Sequence, residues 1–372
     1  MQATNSRQVN RVIILGPTRE TMTIGSAIRA IANRPIHVET ILTVVPPNDR
    51  KLERSELLPQ LREKLSGADA STMVISDIGD ERPYKFEQLA IDVKANSNNT
   101  AVVLLTSKTE CVGKQETFAK LVTGRGFSPS EVFLKIDYVF HYTGVSEIFP
   151  MMVDLQESRI NYKNDRERAI LVFESRPNYY SGFLTKLHEI NEHRTHLLLA
   201  RTYGEAEGIV NDVKQRFAGA ILGMRSPDDS FRLLKMLRAF NKGLPVIMQS
   251  GFPERLEMAR KEGTVFTLYK NDQLLFRTLG DILRDGFRFG DYIFRNSDGA
   301  EIGRAKNLQE LCDLIGKIDG KVLVGDASRN DFSNWLYLHG HKDAAEEIKP
   351  MFTEDAGILR SILLRTLGPY VK

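Results

Sequence analysis

Four short apolar runs between Ala169 and Asn271 each end in residues able to take part in chemistry, or in a conspicuous lack of one. Ala169-Ile-Leu-Val-Phe ends in Glu174-Ser175, and Ala218-Gly-Ala-Ile-Leu runs into Gly223-Met-Arg-Ser-Pro227. Pro245-Val-Ile-Met-Gln ends in Ser250-Gly251, and Val265-Phe-Thr-Leu-Tyr ends in Lys270-Asn271. A carboxylate, a hydroxyl and a lysine at strand ends are parts that phosphoryl transfer uses, the carboxylate toward Mg²⁺ and the lysine toward developing negative charge. Gly223 stands among them without a side chain. The gaps of 49, 27 and 20 positions from Glu174 to Gly223, Ser250 and Lys270 in turn each fit one or two strand–helix repeats.

The first half holds a weaker set. Thr72-Met-Val-Ile-Ser-Asp77 places a carboxylate at a strand end, and Thr106 closes Ala101-Val-Val-Leu-Leu-Thr106, 29 positions later. The first strand ends instead in Gly16-Pro-Thr-Arg-Glu20, and Glu20 lies too far along to supply an acidic pair.

The elements that must position these residues follow from pattern. Arg11–Gly16, His37–Val45, Thr72–Asp77, Ala101–Thr106 and Val132–His141 read as strands of the first half, separated by amphipathic stretches such as Thr23–Ala32, Arg54–Leu65 and Phe86–Val93. A helix from about Val145 into the charged run Asn164–Arg168 leads to a second half of the same plan. Its helices are Tyr179–Ile190, Tyr203–Phe217, Asp229–Asn241, Glu254–Glu262 and Gln273–Arg284. Short apolar strands alternating with helices imply βαβ units and a parallel sheet covered on both faces, repeated at domain scale. After Gly290 the pattern changes. Asp291–Arg295 and Glu301–Arg304 flank Asp298-Gly299 as a hairpin, Asn307 can cap a helix over Leu308–Ile318, and further helices start near Asp331 and Glu354. The expected domains are 1–168, 169–290 and 291–372.

The strand-end layout resembles the response-regulator receiver family. There, an acidic pair after the first strand binds Mg²⁺, an aspartate after the third accepts phosphoryl, Ser or Thr follows the fourth and Lys follows the fifth. On this chain the resemblance puts Glu174 on the acidic pair, Gly223 on the acceptor, Ser250 on the hydroxyl and Lys270 on the lysine. Ser175 fills the second acidic place, and glycine cannot be phosphorylated, so the resemblance implies a degenerate receiver with a flavodoxin-like fold. In the first half it puts Asp77 on the acceptor and Thr106 on the hydroxyl. The lysine place falls in Val139-Phe-His-Tyr-Thr143, which has no lysine unless the strand is Glu131–Lys135.

The tail carries a second resemblance. Phe289-Gly-Asp-Tyr-Ile-Phe-Arg295, Glu301-Ile-Gly-Arg-Ala305 and Arg329-Asn-Asp-Phe-Ser-Asn-Trp-Leu336 are similar to the segment that follows receiver-like domains in large bacterial proteins of the phosphoenolpyruvate synthase and pyruvate phosphate dikinase type. That likeness covers about Ala169 to Met351, with Lys135-Ile-Asp-Tyr-Val-Phe140 a fainter trace in the first half. It implies a free-standing regulatory portion or a docking partner of such an enzyme. Phe332 and Trp335, three apart on one helix face, also read simply as core anchors.

Composition narrows the classes. Lys and Arg total 51 against 48 Asp and Glu, a net charge of +3, which gives no electrostatic case for nucleic acid or an anionic membrane. Cys111 and Cys312 lack CxxC partners and read as reduced thiols. The polar N-terminus has no signal core and no apolar run approaches a bilayer span, so the expectation is cytoplasmic. No GxxxxGK[ST] loop occurs, Gly124-Arg-Gly126 is too short for a dinucleotide loop, and no Ser-His-Asp set can be assembled. His193 with His196, and His339-Gly-His341, lack a third ligand of metal-site spacing. Arg255, Arg260 and Lys261 read as a solvated helix face. The chain is therefore expected to be a non-catalytic signalling or scaffold protein, without cofactor or metal, that docks a protein partner: a second copy, or an enzyme resembling phosphoenolpyruvate synthase. The alternative is a phosphorelay receiver using Asp77.

Overall fold

Short apolar runs, several of them buried from end to end, build the two sheets. In the computed structural model, which describes residues 8–16, 18–30, 35–45, 50–78, 86–106, 135–163, 168–264, 266–349 and 351–371, the first sheet comprises β1 (Arg11–Gly16), β2 (His37–Leu42), β5 (Thr72–Ile78), β6 (Ala101–Thr106) and β7 (Tyr138–His141). β3 (Val44–Val45) and β4 (Arg50–Lys51) form a small antiparallel pair apart from it. The large sheet has the order β2-β1-β5-β6-β7 with every neighbouring pair parallel. Strands such as β6, with all six residues buried, are the pattern of a parallel sheet covered by helices on its faces. Those helices are α1 (Thr18–Ala30), α2 (Arg54–Lys64), α3 (Phe86–Asn96) and α4 (Ile148–Asn161). Ile13, Leu15, Val74, Val102, Leu104 and Val139 of the strands pack with Leu57, Leu61, Leu89 and Val93 of α2 and α3 in one core.

The second sheet repeats the plan. It contains β8 (Ala169–Phe173), β9 (His196–Ala200), β10 (Phe217–Gly223), β11 (Val246–Ser250) and β12 (Phe266–Tyr269), in the order β12-β11-β10-β8-β9, again all parallel. Counted along the chain, both sheets place the strands second, first, third, fourth, fifth. The helices are α5 (Pro177–Asn191), α6 (Tyr203–Val213), α7 (Pro227–Phe240), α8 (Pro253–Lys261) and α9 (Leu275–Asp281). The protein is thus α/β, with two five-stranded parallel sheets flanked by helices.

Two compact units result: Met1–Asp165 with Ser175–Glu189, and Arg166–Glu174 with Ile190–Lys372. Most of α5 belongs to the first unit although it directly follows β8. Within that unit the Tyr180 hydroxyl donates to the Val139 carbonyl, and its ring meets Phe140 edge-on at 5.9 Å. The His141 amide donates to Ser181 Oγ at 2.8 Å, and His188 meets Asp154 of α4 at 2.5 Å.

The tail packs within the second unit. β13 (Tyr292–Arg295) and β14 (Glu301–Ala305) form an antiparallel hairpin, followed by α10 (Leu308–Ile315), α11 (Gly320–Ser328), α12 (Asp331–Leu338), α13 (Lys342–Ile348) and α14 (Ala356–Leu367). Gly299 turns the hairpin at φ 81°, and Asn307 Oδ1 accepts the Glu310 amide at 3.0 Å to cap α10. Phe332 and Trp335 are buried core anchors: Tyr292 stacks on Phe332 at 5.1 Å, and Trp335 Nε1 donates to the Gly290 carbonyl at 2.9 Å. Arg168, buried before β8, donates to Ser333 Oγ at 2.6 Å and to Asn334, and lies 5.2 Å from the Tyr337 ring. One basic side chain thus joins the sheet to α12.

Several boundaries differ from the sequence reading. α9 stops at Asp281 and continues as a π-helical turn over Ile282–Gly286, where Gly286 lets its backbone press on the Phe266 ring. β7 starts at Tyr138, with residues 132–134 of the expected strand outside the described residues. α4 ends at Asn161, and residues 164–167 of the expected charged linker also lie outside them.

Candidate functional site

Parallel strands deliver their C-terminal ends to one edge of a sheet, so Glu174, Gly223, Ser250 and Lys270 converge although the chain separates Glu174 from Lys270 by 96 positions. β10 lies between β8 and β11, and at this edge Gly223 pairs in register with Gln249, and Ser250 with Tyr269. Ligands of open α/β sheets bind at this edge, beside the point where strand order reverses.

The Lys270 ammonium is in direct contact with Glu174 Oε2, and the two side chains are 4% and 1% exposed. The carboxylate that the sequence reading placed toward a metal is therefore engaged by the lysine placed toward a phosphoryl group. Gly223 explains how. A Cβ at residue 223 would lie 2.7 Å from Glu174 Oε2 and 2.9 Å from the Phe173 carbonyl oxygen. Glu174 thus occupies the space that any larger residue at 223 would need, and the glycine is a requirement of the ion pair.

The neighbouring polar groups are turned inward. Ser250, 3% exposed, accepts the Phe252 amide on Oγ at 3.0 Å, and its carbonyl accepts the Lys270 amide at 2.8 Å. The Ser230 hydroxyl donates to the Gly223 carbonyl at 2.9 Å. Arg255, expected on a solvated face, instead reaches from α8 to the carbonyl oxygens of Met224 at 2.6 Å and Arg225 at 3.2 Å, tying down the loop after β10. That contact has no sequence signal, because it joins residues 31 positions apart.

In the first unit, Asp77 pairs through its backbone with Leu105 near the end of β5; its side chain, like that of Glu20 in α1, lies outside what is described, and Gly124–Gly126 and Cys111 lie outside the described residues. Thr106 is fully buried at the end of β6. β7 ends at His141 and is followed by Tyr142, so the alternative that made Lys135 the post-strand lysine fails: Lys135 precedes the strand. The sequence reading missed Asp137. It accepts the Val102 amide at 2.7 Å, Lys94 at 2.8 Å and Arg159 at 2.6 Å, a junction between β6, α3 and α4.

His339 serves local structure in the tail. His339 stacks on Trp335 at 4.2 Å and lies 2.8 Å through Nδ1 from the Trp335 carbonyl oxygen, and burial lowers its pKa. Burial likewise raises the pKa of Cys312, making it a poor thiolate nucleophile.

No family model and no curated protein matches this chain. Among solved structures, similarity extends to a Bacillus subtilis protein provisionally described as a phosphosugar isomerase, at 12% identity over 75% of this chain and 86% of that one, with a TM-score of 0.23. That finding stands against the expectation of a non-catalytic chain, which we withdraw. A likeness of this size assigns no fold or reaction in its place. Among the described residues, no helix is long and apolar enough to cross a membrane.

Proposed function

We propose that the chain is a docking protein built from degenerate, receiver-type, flavodoxin-like domains, and that its second unit presents one fixed binding face. The observation that carries this reading is the buried Lys270–Glu174 pair beneath Gly223. In a working receiver the corresponding groups rearrange around an added phosphoryl group, and that change is passed to the face made by the last helices and strand. Here the lysine is held by an internal partner, which removes the switch and leaves the face in a single state. The strand order of both sheets, second-first-third-fourth-fifth, supports the receiver-type assignment because it is the flavodoxin-like order.

The face itself is apolar for a surface. β12 is an edge strand flanked by α8 and α9, and around it Phe252, Met258, Tyr269, Leu274 and Phe276 are 56%, 46%, 37%, 57% and 39% exposed. Leu274 and Phe276 thus keep a good part of their surface in solvent. Large exposed apolar side chains around one edge mark an interaction surface. α9 carries Arg277 and Asp281 one turn apart, so two antiparallel copies can pair opposite charges across a two-fold axis, and a second copy of the chain is the partner we assign.

Sedimentation velocity of the intact chain tests this. Concentration-dependent self-association is expected, and Arg277→Glu with Arg284→Glu should weaken it while the circular dichroism spectrum stays unchanged. Unaltered association in that folded variant would remove α9 from the docking face. A monomer that captures a phosphoenolpyruvate synthase-like enzyme through the same face would instead favour the heterologous partner that the tail resemblance implies.

A further inference from the structure

The opposite edge of the second sheet holds a site of different chemistry. At the amino ends of β11 and β12 a cleft of about 480 Å³ opens between the sheet and the tail, lined by Arg238, Lys242, Arg288, Arg329, Asp331 and Phe266 among others. Four cations face one lining carboxylate, with a second, Asp326, behind it. Arg288 pairs with Asp331 at 3.0 Å, and Arg329 contacts both Asp331 at 3.0 Å and Asp326. Arg238 donates from Nη2 to the Gly263 carbonyl at 2.9 Å, while its Nε has no hydrogen-bond partner. Lys242 is exposed and forms no ion pair with any described residue. Two positive charges are therefore left over in one concavity, on a chain whose total excess is only +3.

The shape is built, since two glycines bring its walls together. A Cβ at Gly243 would lie 2.6 Å from Arg329 Cβ, and one at Gly286 would lie 2.4 Å from the Phe266 ring. Those close approaches fix Arg329 at one side of the cleft and an aromatic face at the other. The volume sits near the lower end of small-molecule sites, roughly 300–1,000 Å³, and far exceeds what a bare oxyanion fills. The modest net charge of the chain offers nothing further for a polyanion. Planar guanidinium forks with a lysine point charge match a phosphoryl dianion better than a single carboxylate.

We propose that this cleft binds a small organic phosphate monoester, its phosphoryl oxygens held by Lys242, Arg238 and Arg329 and its organic part lying on Phe266. The inference is independent of the docking face.

Isothermal titration calorimetry of the full chain at low ionic strength, with phenyl phosphate, inorganic phosphate and succinate as probes, tests it. Phenyl phosphate should bind saturably and at least about fivefold more tightly than the other two. Lys242→Glu, at an exposed position that leaves the fold intact, should weaken phenyl phosphate by about tenfold or more, whereas Lys242→Arg should keep it within about twofold. No saturation by roughly 10 mM phenyl phosphate overturns the proposal. So does wild-type affinity in Lys242→Glu. Equal affinity for inorganic phosphate or succinate removes the organic phosphate as the ligand class.

Discussion

Glu174 and Lys270 show how little a residue type says about its use. Each fits an expected role in phosphoryl chemistry, and together they cancel it by occupying one another. Breaking a buried pair from one side leaves a stranded charge, so Lys270→Met should destabilise the protein by about 3–5 kcal/mol. Glu174→Gln added to Lys270→Met should recover a large part of that loss, because no buried charge then remains; a double-mutant cycle by urea denaturation measures the coupling. A cycle with no coupling would mean that the pair does not close the pocket. The labelling chemistry gives a second prediction at this scale. Acetyl phosphate with Mg²⁺ should add no phosphoryl group to the intact chain as read by mass, because Gly223 offers no nucleophile and no acidic pair follows β1 beside Asp77. A single added phosphate that disappears in Asp77→Asn would restore the phosphorelay reading.

Among the elements, α11 and α12 carry the most consequential electrostatics. Asp326 is 4% exposed, accepts the Tyr292 hydroxyl at 2.9 Å and contacts Arg329. Burial, reinforced by the Asp331 charge, raises its pKa from 3.8 to about 6. Below about pH 4 the carboxyl is protonated in both folded and unfolded chains, and no penalty exists. Between about pH 4 and 6 the folded chain keeps a proton that the unfolded chain has released, so stability falls as pH rises through that window. Above pH 6 the cost is constant and at most about 3 kcal/mol. Asp326→Asn keeps an acceptor for Tyr292 and removes the titration. Its melting temperature relative to wild type should therefore rise from pH 4 to pH 7, and a difference that stays flat over that range would show the carboxylate to be adequately compensated. Arg168 is the counterpart on the basic side. Burial lowers its pKa to about 10, and contacts to Ser333 and Asn334 hold the cation in place.

For the whole molecule, the two sheets share a strand order. In the second unit, one edge is closed by an internal ion pair, the other opens into a basic cleft, and β12 leaves apolar side chains in solvent. Self-association through the β12 region should scale with concentration and persist at moderate salt, because exposed aromatic and aliphatic groups supply most of the area and are not screened. Loss of association on adding salt alone would shift the weight from Leu274 and Phe276 to the charges on α9.

Much of the architecture was legible in the sequence because burial is encoded locally. Apolar runs of five to seven residues separated by amphipathic stretches permit little besides parallel sheets with helical cover, and Asn307, Asp298-Gly299 and the Phe332/Trp335 spacing act within a few residues of themselves. Parallel strands also had to bring Glu174, Gly223, Ser250 and Lys270 to one edge. What the sequence could not state was that Lys270 reaches Glu174 through the space left by Gly223, that Arg255 ties the loop after β10, or that most of α5 joins the first unit. Nor could it assemble Arg238, Lys242, Arg288 and Arg329, from three separate stretches of chain, around one cleft. Periodicity tells a residue which way to face, but which distant group it meets depends on close packing, and there the absent side chain of Gly223 leaves the space in which Lys270 and Glu174 pair.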